Sequence, residues 1–432
     1  MHNTGKDINS IKNFNKYFAV YLSFLLFFGI YFLYSKHNVG NDTSISEYLV
    51  NYQGGFVRRG LIGDIIFRYS EYLNLNLRFQ IFIFQSVIYS TFLILVFNFF
   101  KNFEKNVVIM FAIYTPIFLL FPVAELESLG RKEPFLYVFF LTLIMIKNVK
   151  HANIFIFFIL PVFCMVYEEI ILFSPFIYSV ILIKNKISDF KSAIKLSLLF
   201  LPSIIIVLYF FTNPLSMENH KVMADSLINV FGESCYMSCW LLVGNDINSF
   251  NSMINYIWSG PHVNLPEIFI RYSLVFLIGF FPIFFLSYHS SFKKDFFFYK
   301  IKLKNILLFL LISYIPIVPL YILGGDWGRW TNMTITFTII FYFYLYKNNF
   351  IDIDYMTISK KLFFFKDKKK LVTLIFIIFA FSWNQKTTNV EDIATNPMYR
   401  IPYKAGKEIF GWQSFRFFQD HQLIKFHKKY VE

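Results

Sequence analysis

Apolar residues fall along this chain in long blocks, and polar residues are confined to the stretches between them. A membrane-crossing helix needs roughly 17–25 apolar residues, fewer where it is short or re-entrant. On that basis eleven spans are predicted: Tyr17–Tyr34, Phe79–Phe100, Val107–Val123, Pro134–Ile146, Ile154–Val166, Ile170–Ile183, Leu196–Phe211, Ile268–Tyr288, Ile306–Leu323, Thr331–Tyr346 and Leu371–Trp383. The alternation of apolar and polar positions that marks a membrane barrel is absent from these blocks. In hydrocarbon every backbone polar group must be satisfied within its own segment, so the spans are helices. The fold class expected is all-α: a polytopic integral membrane protein of about eleven transmembrane helices. Charged residues interrupt the blocks around Glu133 and Glu168. The first run lacks a small-residue cleavage site after it and is expected to be retained as a helix.

Composition agrees with this pattern. Of 432 residues, 56% are hydrophobic and 16% charged, against about 25% charged in soluble proteins, and mean hydropathy is +0.51. A soluble globular domain is excluded. The net charge of +14 does not indicate nucleic acid, because the lysines sit in short loops where topology accounts for them. With the N-terminus in the cytoplasm, 23 of the 32 lysines lie in inner loops, as the positive-inside rule requires. The transmembrane region is then 1–383, with outer loops 35–78, 124–133, 212–267 and 324–330, and a tail, 384–432, also outside. The tail's six lysines run against the rule.

Arginine follows the opposite distribution. All nine (Arg58, Arg59, Arg68, Arg78, Arg131, Arg271, Arg329, Arg400 and Arg416) fall on the outer side or at outer ends of spans. The guanidinium fork suits phosphate and carboxylate. This distribution points to a phosphate-bearing ligand; the plainer reading is that the arginines snorkel or pair with loop acids.

Four outer constellations carry candidate chemistry. The first loop holds Asp42, Glu47, Gly54-Gly55 and Arg58-Arg59; from Phe56 onward Val57, Leu61, Ile62, Ile65 and Ile66 recur at helical spacing. That pattern predicts an interfacial amphipathic helix whose N-terminus, beside paired arginines, would seat an anion. The second loop packs Glu125, Glu127, Arg131, Lys132 and Glu133 between two spans, where charge is costly unless paired or hydrated. Glu168-Glu169 interrupts an apolar stretch, as a site or as a simple turn. Gly324 to Trp330 combines Asp326, Trp327 and Arg329, suited to a carbohydrate or phosphate contact, or to an ordinary interface anchor and ion pair. Of three cysteines, Cys164 lies in a span; Cys235 and Cys239 would form a bridge in an oxidising compartment or two thiols on one helix face. No spacing demands a metal or cofactor, and none is expected.

A retained first helix, a large outer loop with an early acid and an interfacial helix, a charged second outer loop and an outer C-terminal segment together resemble the GT-C glycosyltransferases. The run Glu127 to Leu141, with Arg131 and Glu133 before an apolar helix, is similar to their second-loop pattern. The resemblance covers roughly the first 180 residues. The first loop departs from it in having Asp42 with Glu47 further on in place of a paired-acid motif. The Phe, Ile, Lys and Asn bias also resembles bacterial O-antigen and capsule repeat-unit polymerases.

These resemblances imply glycosyl transfer from a polyprenyl-diphosphate-linked oligosaccharide at the periplasmic face of a bacterial inner membrane, with the lipid bilayer and a chain-length regulator as partners. They imply Asp42 or Glu47 as general base, Arg58, Arg59, Arg131 and Lys132 on the diphosphate, and Glu127, Glu133, Glu168, Asp326, Trp327 and Arg329 on the substrate. A transferase adding one sugar from a polyprenyl-phosphate donor is the alternative within enzymes. A flippase for the lipid-linked oligosaccharide is the alternative in transport, and would carry ionisable residues deep within several spans.

Overall fold

A computed structural model of the chain describes residues 4–38, 43–101, 103, 107–234, 237–243, 254–255, 257–260, 263–293, 297–301, 303–363, 368–391 and 393–411. Among them, five helices are long and apolar enough to cross a membrane: Phe14–His37, Leu77–Phe100, Val149–Val166, Phe190–Thr212 and Ile306–Leu323. A sixth crossing is formed if Leu265–Gly279 and Phe281–Tyr288, bent by 55° at their junction, act as one span. Pro282 at the start of the second half explains the break, since proline lacks the N–H that would continue the ladder. Along these helices Ile205, Leu208, Phe211, Leu277 and Ile278 remain exposed. Apolar surface on this scale calls for lipid, and the chain is an all-α membrane protein.

The eleven predicted segments all contain helix, but several are shorter than a span. Val107–Val123 is the clearest departure: it is helical only over Val107–Ile113 and resumes at Phe121–Ala124. Pro116 disfavours helix at Thr115 before it. The stretch between is buried, and the side-chain amide of Asn332 donates to the carbonyls of Ile117 and Phe118, both at 2.8 Å. The next segment is a 13-residue helix, Glu133–Met145. The pair Glu168-Glu169 opens a 3-10 turn, Glu168–Phe173, that feeds helix Ser174–Lys184.

The helix Trp327–Lys347 is the axis of the molecule: every residue from Trp327 to Leu345 is buried. A helix buried all round belongs at the centre of a bundle. Its Phe337 stacks on Phe140 and Phe173, with centroids 4.7 and 4.4 Å apart. Two of its hydroxyls are satisfied within the helix, Thr334 donating to the Trp330 carbonyl and Thr338 to that of Thr334. At the opposite end from Trp327, Lys347 donates to the Phe99 carbonyl, and Lys184 donates to the carbonyls of Ile144 and Ile146. Lysines at the last positions of two helices thus cap the C-termini of others.

The other end of the bundle carries a cap built from the loops expected from sequence to be outer. Helices Thr43–Leu49, Gly60–Tyr72 and Met217–Phe231 enclose a second small core of Val50, Val57, Leu215, Met223, Cys239 and Leu242. The predicted amphipathic helix starts later than its pattern suggested. It opens at Gly60, because Arg59 adopts the left-handed conformation at φ 63°. Its Ile62 and Ile66 face inward and its Ile65 and Tyr69 outward. Cys239 is disulfide-bonded; Cys235 lies outside the described residues, and Cys164 is a buried free thiol. The tail does not stand apart. A two-residue strand, Trp383–Asn384, pairs antiparallel with Ala394–Thr395, and the chain between lies on the loop before the central helix. Gly328 N–H donates to the Thr387 carbonyl at 3.0 Å, and Asn389 N–H to that of Gly325 at 2.8 Å. A Cβ on Gly328 would lie 1.7 Å from the Lys386 carbonyl oxygen, so only glycine permits this approach.

Candidate active site

Ten charged side chains from five separate segments meet where the cap joins the bundle. Glu47 comes from helix Thr43–Leu49, Arg58 and Arg59 from the turn before Gly60, and Arg131, Lys132 and Glu133 from the second loop. Glu168 and Glu169 come from the turn after Val149–Val166, and Asp326 and Arg329 from the start of the central helix. Contacts among them span up to 282 residues of sequence, yet formal charges balance, five acids against five bases.

The contacts divide into two halves. In one, Arg329 Nε donates to Glu133 Oε1 at 2.6 Å, its Nη1 to Asp326 at 2.5 Å and its Nη2 to Glu47 Oε1 at 3.3 Å and to the Tyr167 hydroxyl at 3.2 Å. Arg131 donates to Glu47 Oε1 at 2.7 Å, to Thr43 and to the Glu127 carbonyl. In the other half, Arg59 donates to both oxygens of Glu168 at 3.0 Å and to Glu169 Oε1 at 3.0 Å, with its guanidinium over the Tyr167 ring. Arg58 reaches Glu168 at 3.5 Å and donates to the Leu241 carbonyl. Lys132, wholly buried, donates to the Arg59 carbonyl at 2.6 Å and lies over the Tyr48 ring. Tyr167 joins the halves.

Electrostatics separate the roles of the acids. Burial works against ionisation of Glu47, but Arg131, Arg329 and Arg59 hold its carboxyl at about 2. Burial likewise opposes charge on Glu168, and Arg59 and Arg58 overcome it, leaving its carboxyl below the usual range. Glu169 behaves differently. Burial pushes it up to about 7; Arg59 opposes that shift and the neighbouring Glu168 reinforces it. Its Oε2 is buried without a hydrogen-bond partner, as are Oε2 of Glu47 and of Glu133. Burial brings Lys132 down to about 8.

The structure sorts the residues singled out from sequence. Glu47, Arg58, Arg59, Arg131, Lys132, Glu133, Glu168, Asp326 and Arg329 are brought together. Asp42 lies outside the described residues. Glu127 is exposed and contributes its carbonyl only. Trp327 is turned away from the charges: its indole donates to the carbonyls of Tyr321 and Gly324, and its ring packs on Tyr272 and Tyr321. Arg131 and Lys132 are buried with their donors committed to the chain's own groups, so they hold the site in place and offer little to a phosphate. The anion at Arg58 and Arg59 is the chain's own Glu168. Each of the eight described arginines has an acid or carbonyl partner within the chain; Arg78, for example, is bidentate on Glu233 and Arg271 holds the Asn389 and Glu391 carbonyls. Among the described residues no group of three or more His, Cys, Asp or Glu is arranged to hold a metal ion. Sequence inspection did not single out Tyr167, Tyr48 and Thr43, because a hydroxyl beside apolar residues carries no pattern of its own.

One cavity adjoins the cluster and a second lies away from its charges. One of about 20 Å³ lies against Glu133, Arg329, Tyr137 and Asn332, the size for a single water. The other is a groove of about 580 Å³ along the helix face, lined by Phe269, Tyr272, Phe276, Tyr314, Tyr321 and Trp327 among others. It is largely apolar and aromatic, none of the ten charged side chains lines it, and Trp327, two residues before Arg329, belongs to its wall. Comparison with protein-family models, curated proteins and solved structures returns no match for this chain.

Proposed function

We propose that this protein is a membrane glycosyltransferase that acts on a polyprenyl-diphosphate-linked oligosaccharide at the outer face of a bacterial inner membrane, as a polymerase of O-antigen or capsule repeat units. The observation that carries the reading is the balanced charge cluster at one end of the bundle, with the Glu169 carboxyl pushed up to about 7 within it. A polar reaction centre in the same bundle as a lipid-sized apolar groove suits a substrate with a saccharide head and a prenyl chain. The eleven-span, GT-C-like topology with a cytoplasmic N-terminus belongs to this proposal. The bonded state of Cys239 supports an oxidising compartment for the capped face.

In this reading Glu169, rather than the arginine-pinned Glu47, is the general base. A carboxyl near 7 is matched to accepting a proton at neutral pH. Its unpartnered oxygen takes the proton of the acceptor hydroxyl as that oxygen attacks the anomeric carbon of the donor. The bond from that carbon to the diphosphate oxygen breaks, and the diphosphate leaves with the electron pair. Arg58 and Arg59 are the most exposed cations of the cluster, at 33% and 24%, and they meet the charge that grows on the leaving group. Asp326 and Arg329 shape the acceptor side. Transport is less well supported: these charges sit at helix ends on one face, whereas a flippase needs ionisable groups along a path through the spans.

The test is a gel of surface polysaccharide from a host lacking the gene, with and without complementation. Collapse of the ladder to core plus one repeat unit, restored by wild type but not by Glu169→Gln, is the expected result. A ladder of unchanged length with altered mobility would replace polymerisation with addition of a single sugar. Full loss of repeat units would favour the transporter, and an unchanged profile would overturn the enzyme.

A further inference from the structure

The end of the bundle away from the charge cluster carries an element that sequence reads only as the connection between the spans Thr331–Tyr346 and Leu371–Trp383. Three helix ends meet there. The strand Ser290–Phe292 follows the bent pair that ends at Tyr288, and it pairs antiparallel with Ile351–Ile353, which follows the central helix. Ser291 also bridges to Asn305. The Asn305 side chain accepts from Leu308 N–H, which caps the span Ile306–Leu323, and donates to the Tyr288 carbonyl at 3.1 Å. A stretch tied at once to the ends of three helices of a membrane bundle lies at the depth where those helices meet the bilayer surface.

Helix Tyr355–Lys361 follows directly. Asp354 starts it, accepting from Thr357 N–H at 3.0 Å while its own N–H donates to the His289 carbonyl at 2.9 Å. The first turn is held to the central helix by Tyr355, whose hydroxyl donates to that of Tyr346 at 3.1 Å. The last turn is held to the bent pair by Lys361. Its ammonium lies 5.6 Å over the Tyr288 ring, 6.0 Å over that of Phe285 and 3.2 Å from His289 Nε2. Ile358 is buried against the protein, whereas Met356 is 76% exposed and Phe363, just past the helix, 70%. Lys360, exposed, is one turn from Met356 on the same side. Exposed tyrosine, apolar and lysine side chains in one short element are the composition of the zone between headgroups and acyl chains, where rings lie and lysine stems reach outward. Through Tyr288 this face continues the exposed apolar face of the bent pair, on which Leu277 and Phe281 also lie.

We propose that helix Tyr355–Lys361, with Tyr288 and Phe363, is seated in the bilayer surface at this end of the bundle, with Met356 and Phe363 in the boundary between headgroups and acyl chains. Asp352, Asp354, Lys360 and Lys361 balance in charge, so the element fits the lipid interface by its apolar depth and needs no anionic headgroup. The central helix is buried from Trp327 to Leu345 and offers lipid little surface of its own. The seated element sets its depth in the membrane, and with it the depth of Arg329 at the far end. The inference stands independently of the glycosyl-transfer reading.

Met356→Cys and Asp352→Cys, labelled with the environment-sensitive fluorophore NBD, test it. The full chain is held in nanodiscs of phosphatidylethanolamine and phosphatidylglycerol, with the wild-type chain as labelling background. The expected result is a blue-shifted label at Met356, quenched severalfold more by lipids carrying a nitroxide high on the acyl chain than by aqueous iodide. The converse is expected at Asp352, whose side chain is 69% exposed. Iodide quenching without nitroxide quenching at Met356 would put the helix in water and overturn the proposal. Protection from both quenchers would give this face to a second copy or another protein, and overturn it equally. Equal nitroxide quenching at the two positions would overturn the assigned face. Should the Met356 variant melt below wild type, Phe363→Cys, at the second exposed apolar position, carries the same expected and overturning results.

Discussion

Arg329 Nε donates to Glu133 Oε1 at 2.6 Å across 196 residues of sequence. The first turn of the central helix is thereby locked to the first turn of Glu133–Met145, and the same guanidinium also reaches Glu47 and Asp326. One side chain thus joins two other segments, helices Thr43–Leu49 and Glu133–Met145, to the axis of the bundle.

Removing that side chain strands carboxylates that cannot reach water. Arg329→Leu is expected to cost about 3–5 kcal/mol, the penalty for leaving a buried charge without its partner. A fall in the melting temperature of the detergent-purified protein checks this. Arg329→Lys is expected to recover only part, because an ammonium cannot serve three carboxylates from one plane. Wild-type melting in both variants would show that the cluster holds nothing together.

Glu169→Gln tests chemistry with little change in structure. The variant keeps the size and the neutral form, and activity is expected to fall roughly 10²–10⁴-fold, the usual contribution of a general base. The melting temperature should hold. Wild-type activity should drop as pH falls below about 7, where the carboxyl takes up its proton. The stability contribution has the opposite sense. With the folded value raised above 4.5, it is complete below 4.5 and is lost as pH rises through about 7. Wild-type activity in the variant at pH 7 would remove Glu169 from the mechanism.

Glu47 is expected to show the reverse dependence. Its carboxyl is held at about 2 against an ordinary 4.5, so its contribution to stability is present above 4.5 and lost as pH falls toward 2. Glu47→Gln leaves Arg131 and Arg329 short of a partner and should flatten that acid limb of a melting-temperature profile. An unchanged limb would mean that the limb arises elsewhere.

Asn332→Leu tests the break in the third predicted span. The carbonyls of Ile117 and Phe118 lose their donor, and an unsatisfied buried polar group costs about 1–3 kcal/mol. Hydrogen exchange in residues 114–120 is expected to quicken; protection equal to wild type would argue that the break needs no support from the central helix.

Gly328→Ala tests the tail's seat. The added methyl meets the Lys386 carbonyl, so residues 385–391 should lift from the cap and become open to limited proteolysis. Cleavage no faster than wild type would show that the contact gives way without cost.

Sequence alone determined the membrane character and the helical class, and it singled out nine of the charged groups that the fold brings together. These follow from local facts: hydropathy summed along a segment, and the expense of charge near hydrocarbon, which marks Glu47, Arg59, Arg131, Glu133, Glu168 and Arg329 as anomalies wherever they go. Helix existence was legible because apolar blocks leave the backbone no other partner. Partnership was not. Nothing in the sequence says that Arg58 and Arg59 face Glu168 rather than a ligand, or that Arg131 is spent on Glu47, because a pair is made by two segments folding to the same place. The same holds for Val107–Val123, where a proline and a distant asparagine outweigh hydropathy, and for the tail, whose seat beside Gly328 is a tertiary contact. Only the folded chain decided which acid is pinned by arginines and which, at Glu169, is left near neutrality, since burial and neighbouring charge are properties of position in space.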